Sequence, residues 1–269
     1  MVVYVLLTVV TLVALFPLFW TLSTSLTPRE LVYQWPPKIW PSSPTLGAYT
    51  DIIGQRQFLV SFANSFIVSV GTVVLSLVAG TLAAYRFARS RFPGKNFILF
   101  MLIATTMIPG LSNLIPLYVL MRNIGLLNTH LALILIYTAS FLPLVVWLMK
   151  GFIESIPEEL DESAIIDGAS RWQVLIRIIL PLSGPGLAAA ATLTFVAAWN
   201  EFLVALTMIQ TPDQRTIQPT IQLFVGYYEQ TEWTLIAAAT LIACVPVVIL
   251  FLLLQRALIA GLTAGAVKG

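Results

Sequence analysis

The sequence predicts an all-α integral membrane protein with six transmembrane helices, and three observations predict it. Hydrophobic residues make up 58% of the 269 and charged residues 10%, where an ordinary globular domain carries about 25% charged residues. Mean hydropathy is +0.92. The apolar residues fall into runs near or above the roughly 20 residues that cross a bilayer as a helix, and the charges gather between those runs. A formal net charge of +2 is too small to argue for a nucleic-acid partner, so the placing of the 14 Lys and Arg residues carries the information. The single cysteine, Cys244, lies inside an apolar run, can form no internal disulfide and says nothing about redox compartment.

Residues 2–24 make the first span. A signal peptide needs a basic start and a small-residue cleavage site, whereas this run starts without Lys or Arg and continues through Phe16, Phe19 and Trp20; we read it as a retained helix. Residues 27–60 hold five prolines and the interface-favouring Trp35 and Trp40, and read as an exposed loop. Residues 61–85, 96–120 and 128–149 are spans two to four. The third is interrupted by Pro109, Gly110 and Pro116. A broken helix is tolerated at membrane depth where protein or a water-filled cavity covers its freed backbone groups, so this span either lines the interior or is a bent packing helix. Arg86, Arg89, Arg91 and Lys95 lie within ten residues between spans two and three, and the positive-inside rule places them in the cytoplasm. Each later span then crosses once. The loop near Arg122 is outside, and residues 155–181, preceded by Lys150, are inside. Span five covers 183–207, residues 209–232 form an exposed loop, span six covers 233–254, and the tail with Arg256 and Lys268 is inside. Both termini are thus cytoplasmic.

Chemistry is sparse. The chain has no GxxxxGK[ST] phosphate loop, no HExxH and no Cys or His cluster, so no means of hydrolysing a nucleotide or holding a catalytic metal is visible. His130, the one histidine, falls near the outer end of span four and reads as an interfacial or packing residue. Glu201, beside Trp199 and Asn200 toward the outer end of span five, either touches a polar substrate or sits at the interface. With Pro109 and Gly110 of the broken span, Asn200 and Glu201 are the substrate-path candidates.

The one sizeable amphipathic segment is residues 155–181, SIPEELDESAIIDGASRWQVLIRIILP. Ser155 and Glu158 have capping-box spacing, with Pro157 in the first turn. Gly168 supplies a left-handed residue to end that helix, and Ser170 with Gln173 has the spacing of a second box. The expectation is helix, tight turn, helix. The first helix carries Glu158, Glu159, Asp161, Glu162 and Asp167; the second carries Arg171 and Arg177 among apolar residues. Such a pair belongs at a membrane surface, facing water or a protein.

Read as a pattern, the segment is Glu162, Ser163, Ala164, three residues, Gly168, nine residues, then Ile178, Ile179, Leu180 and Pro181. This closely resembles the EAA loop of bacterial ABC importer permeases, with Ser163 where that family has Ala. Asp167 and Ala169 flank the glycine as in many sugar-importer members. SPTLGAYTDI, NSFIVSV, MIPG, NIGLLNT, TFVAAWNEF and the terminal QRALIAGLTAGAVKG extend the resemblance over nearly the whole chain, toward the second permease of maltose-type systems. The family's basic N-terminal extension is missing, which fits a short or truncated start.

The resemblance implies the type I (MetI-like) importer permease fold, in the inner membrane of a prokaryote. It divides the chain into a first helix and extracytoplasmic loop (1–60), a core of five spans (61–256) with the cytoplasmic loop at 155–181, and a cytoplasmic tail (257–269). It implies a transport subunit, not an enzyme, importing a sugar of di- or oligosaccharide size. The partners implied are a second homologous permease, two cytoplasmic ATPase subunits, an extracytoplasmic sugar-binding protein and the lipid bilayer, with no nucleic acid. No cofactor is bound by this chain; ATP and Mg are used by the partner subunits. Glu162, Ser163, Ala164, Asp167, Gly168, Ala169 and Pro181 are then the ATPase-coupling residues. Ala164, Gly168 and Ala169 allow close backbone approach, and Glu162 and Asp167 accept charged hydrogen bonds. Thr263, Gly265, Lys268 and Gly269 form an ATPase-contacting tail, whose composition does not favour a stable helix. Tyr227, Tyr228 and Glu229 are the candidate binding-protein contacts. The alternatives are a stand-alone secondary carrier driven by an ion gradient and a membrane-embedded enzyme. The first wants acids, His or Lys at mid-membrane and the second a nucleophile or metal cluster.

Overall fold

Apolar runs of this length leave the backbone one way to satisfy its own amides and carbonyls in lipid, the helix. In the computed structural model, which describes residues 1–226 and 231–266 and side chains as far as Gln255, the chain is all-α. Helix α1 (Val2–Ser25) is followed by α2 (Gly47–Gly54), α3 (Arg56–Arg89), α4 (Lys95–Ala104), α5 (Leu114–Asn123), α6 (His130–Glu154), α7 (Glu159–Ile166), α8 (Arg171–Val174), α9 (Leu180–Leu182), α10 (Gly184–Asn200), α11 (Leu203–Met208), α12 (Ile217–Gln222) and α13 (Trp233–Ala266). Among the described residues, α1, α3, α6 and α13 are each long and apolar enough to cross a membrane. Two further pairs are bent, Lys95–Met107 with Gly110–Asn123 by 93° and Arg171–Leu182 with Gly184–Asn200 by 76°; counting each as one span gives six.

Contacts divide the chain into two units, and the division runs through α3 and α13. In the first unit (residues 1–64 and 212–248) the stretch expected as a plain loop holds α2 and the start of α3. Short polar bonds organise it. Ser25 and Tyr49 share a 2.7 Å hydrogen bond, and Arg29 pairs with Asp51 at 3.0 Å and with Glu232 at 3.5 Å. The Asn64 side-chain amide donates to the Asp213 and Arg215 carbonyls at 2.8 and 2.9 Å, holding the turn that leads to α12 against α3.

The second unit (residues 65–211 and 249–269) contains the segment of interest. Here α3 and α6 pack closely because α3 offers glycines: a Cβ built at Gly80 would lie 2.5 Å from Val145 Cγ1, and one at Gly71 2.8 Å from Ile134 Cδ1. Helix α10 approaches α6 in the same way, at Gly186 against the Phe152 ring. Small residues at crossings are the usual device where lipid gives no hydrophobic drive for helices to associate. One core cluster gathers Val68, Leu133, Tyr137, Ala198 and Met208, and Asn128 ties the turn before α6 to the exit of α11. That residue has a φ of 64°, and its Oδ1 accepts from the amides of Gln210 and Thr211 at 2.9 and 3.0 Å. A second cluster, at the end of the unit where α3 and α6 finish, gathers Ala84, Val145, Met149, Ile153, Val174, Leu175, Ile179 and Ala190.

The expected tail departs from its sequence reading. Helix α13 continues through Ala266, so the stretch holding Thr263 and Gly265 is helical in backbone, an extension of the apolar helix before it; Lys268 and Gly269 lie outside the described residues. Elongation adds one hydrogen bond per residue, so a helix already 20 or so residues long continues through a weakly helix-favouring stretch that would not nucleate one.

Candidate functional site

The second core cluster is the floor on which residues 155–182 rest. Its approach differs from the expected capping box. Ser155 is the residue that ends α6, and both its amide, at 3.1 Å, and its hydroxyl, at 2.7 Å, donate to the Phe152 carbonyl in the last turn of the helix. Ser155 keeps a helical backbone (φ −78°, ψ −14°) instead of the extended one an N-cap needs, and α7 starts later, with Glu158 at its N-cap and no side-chain cap. Glu159, Asp161 and Glu162 in its first turn offset the missing cap, because carboxylates there face the positive end of the helix dipole.

The end of α7 forms as its glycine requires. Gly168 has a φ of 90°, in the left-handed region. Its amide donates to Ile165 O at 3.0 Å and the Ala169 amide to Ala164 O at 2.9 Å, the paired bonds of a Schellman cap. The second box forms fully: Gln173 N donates to Ser170 Oγ at 3.3 Å and Ser170 N to Gln173 Oε1 at 2.7 Å. Past α8 the chain widens into a π-helical stretch, Leu175–Ile179, immediately before Pro181. Proline has no N–H to give the carbonyl of Arg177 and its ring crowds that carbonyl, so a wider turn relieves the contact. Ser183 then makes the bend into α10, its amide on Ile179 O at 2.8 Å.

Two faces result. Val174, Leu175 and Ile179 are buried in the floor, and Ala164 and Ala169 pack against it, so these two alanines serve close approach within the chain itself. The outer face holds Glu162, Ser163, Asp167, Gly168 and Pro181, all exposed, together with Ile165, Ile166 (85% exposed) and Trp172 (59%). A Cβ built at Gly168 meets nothing within 4 Å, so that position opens outward.

A group the sequence did not single out fixes this pair in place. Arg89, the last residue of α3, has only 8% of its side chain exposed. Its Nε donates to Asp161 Oδ2 at 2.9 Å, its Nη2 donates to Ile156 O at 2.8 Å, and its Nη1 lies 3.9 Å from Glu158 Oε1. In the sequence Arg89 is one of four cations in a basic loop and Asp161 one of five acids in a helix, 72 positions apart with no spacing rule to link them.

The substrate-path candidates are spread out. Pro109 and Gly110 are exposed at the 93° bend between α4 and α5. Asn200, also exposed, donates to Val196 O at 2.9 Å and ends α10. Span five does not run unbroken to residue 207; it stops at Asn200 and restarts as α11. Glu201 caps the restart. Its Oε1 accepts from Val204 N at 2.8 Å and its Oε2 from Ala205 N at 3.0 Å and from the Tyr137 hydroxyl. His130 opens α6 directly after Thr129, whose Oγ1 caps the helix by accepting from Ala132 N. The binding-protein candidates Tyr227, Tyr228 and Glu229 lie outside the described residues. Among the described residues no group of His, Cys, Asp and Glu is arranged to hold a metal ion.

Against known proteins, residues 76–263 match the family model "Binding-protein-dependent transport system inner membrane component". The chain is 39% identical over 257 residues to the sulfoquinovosyl glycerol transport system permease of Agrobacterium fabrum, covering 95% of this chain and 89% of that one. It is 36% identical to the galactooligosaccharides transport system permease of Bacillus subtilis (99% and 94% covered) and 38% identical to the trehalose transport system permease of Mycobacterium tuberculosis (95% and 93% covered). In structure it is similar to a chain of a bacterial ABC transporter involved in the import of the acidic polysaccharide alginate, with a TM-score of 0.83 at 25% identity, covering 95% of this chain and 94% of that one. A multi-pass all-helical chain with these relatives over nearly its full length is a transport subunit without an ATPase domain, and it belongs to the family of inner-membrane permease components of binding-protein-dependent ABC transport systems.

Proposed function

We propose that this chain is one of two permeases enclosing the path of an ATP-driven sugar importer, and that the helix pair over residues 155–182 is where it meets a cytoplasmic ATPase subunit. The observation that carries the coupling reading is the two-faced build of the pair. Buried on one side and capped at both helix junctions, it presents Ile166 and Trp172 beside Glu162 and Asp167 on the other. Large apolar side chains held outward on a short, capped surface among exposed charges of both signs, Arg171 beside Trp172 included, suit a protein contact better than water. The sugar class is supported by the relatives, which are named for galactooligosaccharides, trehalose and a sulfoquinovosyl glycerol. Closure of the ATPase subunits would shift α7, and the chain through the π-helical stretch, Pro181 and the Ser183 bend would carry that shift into α10, as one packed arrangement exchanging for another. Glu162 and Asp167 accept charge-assisted hydrogen bonds from the ATPase, while Asn200, Glu201, Pro109 and Gly110 mark the path. A binding protein delivers the sugar from outside, with Tyr227, Tyr228 and Glu229 in the loop it meets, and the tail with Thr263, Gly265, Lys268 and Gly269 reaches the ATPase subunits.

The test is Gly168→Val in the complete complex, beside Gly168→Ala. Nothing within this chain obstructs a side chain there, so the effects are backbone strain of about 1–3 kcal/mol at a positive φ and added bulk on the outer face. That corresponds to roughly tenfold or more in ATPase association. Loss of ATPase subunits on purification, or a fall in sugar taken up per ATP hydrolysed, is expected for Val, with Ala showing a smaller effect. Full retention and full coupling in the Val variant would overturn the assignment.

A further inference from the structure

We propose that Arg89 is a positioning residue that ties the start of the ATPase-facing helix α7 to α3, adding a polar link to the membrane core beside the chain's own connections to α6 and α10 and the apolar floor. The inference rests on the coupling reading of residues 155–182. Arg89 grips three points of the segment entering α7: the Ile156 carbonyl, the Glu158 carboxylate and the Asp161 carboxylate. The planar guanidinium donates from Nε and Nη2 to two acceptors in fixed directions, the Asp161 carboxylate and the Ile156 carbonyl, while Nη1 lies within ion-pair distance of the exposed Glu158 carboxylate. The side chains of the closest pair are 8% and 10% exposed, so water neither screens the attraction nor offers either ion an easy replacement partner. Asp161 Oδ1 is also buried and has no hydrogen-bond partner, which leaves Arg89 as the group that compensates this carboxylate.

The consequence is mechanical. With Arg89 neutral, Asp161 is a buried anion without compensation, and the cheapest relief is for the start of α7 to swing toward water. The Schellman cap at Gly168, the box at Ser170 and the apolar floor under Val174 and Leu175 do not involve Arg89, so the second helix and its outer face persist. The ATPase subunit therefore still docks, but displacement at the start of α7 reaches α3 only through the apolar floor and is passed on less fully. A residue that merely held the docking surface together would instead lose the ATPase altogether.

The experiment uses the complete complex of both permeases and ATPase subunits in phospholipid vesicles, with trehalose, maltose and a galactooligosaccharide as probes and the one imported fastest carried forward. Arg89→Gln and Asp161→Asn should keep the ATPase subunits through purification yet lower sugar uptake per ATP hydrolysed by about fivefold or more, the lower end of ordinary coupling free energies. The reversed pair, Arg89→Asp with Asp161→Arg, should recover part of that loss. If Arg89→Gln fails to assemble, Arg89→Lys decides, since it keeps the charge but not the three-way fork. Retained subunits with reduced uptake per ATP then support the tether, and wild-type coupling overturns it. Wild-type coupling in both neutral variants, or loss of ATPase subunits in the Lys variant too, overturns it as well. Gly168→Val, run alongside, separates the two claims. If that variant is also normal, the coupling reading has failed; if it is defective while the Arg89 and Asp161 variants are normal, only the tether has.

Discussion

A carboxylate at the end of an apolar helix is stable there only if donors surround it, and Glu201 has three: the amides of Val204 and Ala205 and the hydroxyl of Tyr137. It acts as the cap that lets the chain break after α10 and restart as α11 without leaving buried amides unpaired. Removing such a cap costs about 0.5–2 kcal/mol, and the loss here includes a buried hydroxyl's partner. Glu201→Ala should therefore lower the thermal unfolding midpoint of the purified complex in detergent clearly, Glu201→Gln less, and Tyr137→Phe least. An unchanged midpoint in Glu201→Ala would show that the cap does not hold the break. Residue chemistry also separates the alanines of the 155–181 segment from its exposed acids. Ala164 and Ala169 face inward because close packing on the floor needs small side chains, while Glu162 and Asp167 face out because a carboxylate without a partner belongs in water.

At the scale of elements, helix crossings differ in how much they can yield. A Cβ at Gly80 would sit 2.5 Å from Val145 Cγ1 and 3.0 Å from its Cβ, whereas one at Gly71 would press mainly on Ile134 Cδ1, the far end of a side chain that can rotate away. Gly80→Ala should thus destabilise the complex by about 1–3 kcal/mol through overpacking, Gly71→Ala by less. Gly151→Ala, with nothing within 4 Å of the added carbon, should be neutral or stabilising by up to about 1 kcal/mol because Ala is the better helix former. Thermal unfolding of the three variants checks the order, and equal midpoints for Gly80→Ala and Gly151→Ala would refute it. The end of α13 belongs to the same scale. Truncation after Gly261 removes the last stretch of a continuous helix, and we expect weaker ATPase assembly or coupling with membrane insertion intact; normal transport by the truncated protein would deny the tail a role.

For the whole molecule the open variable is orientation, which follows from charge placement and not from any contact within the chain. Single cysteines at Ser43 and Arg91 in a Cys244→Ser background test it, both positions being exposed. A membrane-impermeant thiol reagent applied to intact cells should label Ser43→Cys, and Arg91→Cys should be labelled only after the inner face is opened. Labelling in the opposite sense would invert every assignment of inside and outside made here. Deleting residues 226–230 should abolish stimulation of ATP hydrolysis by loaded binding protein; unchanged stimulation would move that contact elsewhere.

The sequence alone determined the fold class, the approximate placing of the spans and the helix–turn–helix form of the 155–181 segment. All three rest on local properties: apolar run length, a glycine where the turn needs positive φ, a serine and a glutamine at box spacing. The break at Pro109 and Gly110 was legible for the same reason, since proline's missing donor acts on its own neighbours, whereas Pro116, read as part of the same interruption, lies in the first turn of α5, where a missing donor costs nothing. Tertiary structure decided what local rules cannot reach. Ser155 has the right spacing for a cap but serves the end of α6, because the preceding helix runs on to it and offers the Phe152 carbonyl first. The exposed loop of residues 27–60 gained α2 and the first turn of α3 through side chains that meet only on folding, such as Tyr49 with Ser25. Arg89 and Asp161 are 72 positions apart, and nothing in a linear pattern marks which cation of a basic loop turns inward. That choice is made by burial, where an ion must find its counter-ion or leave.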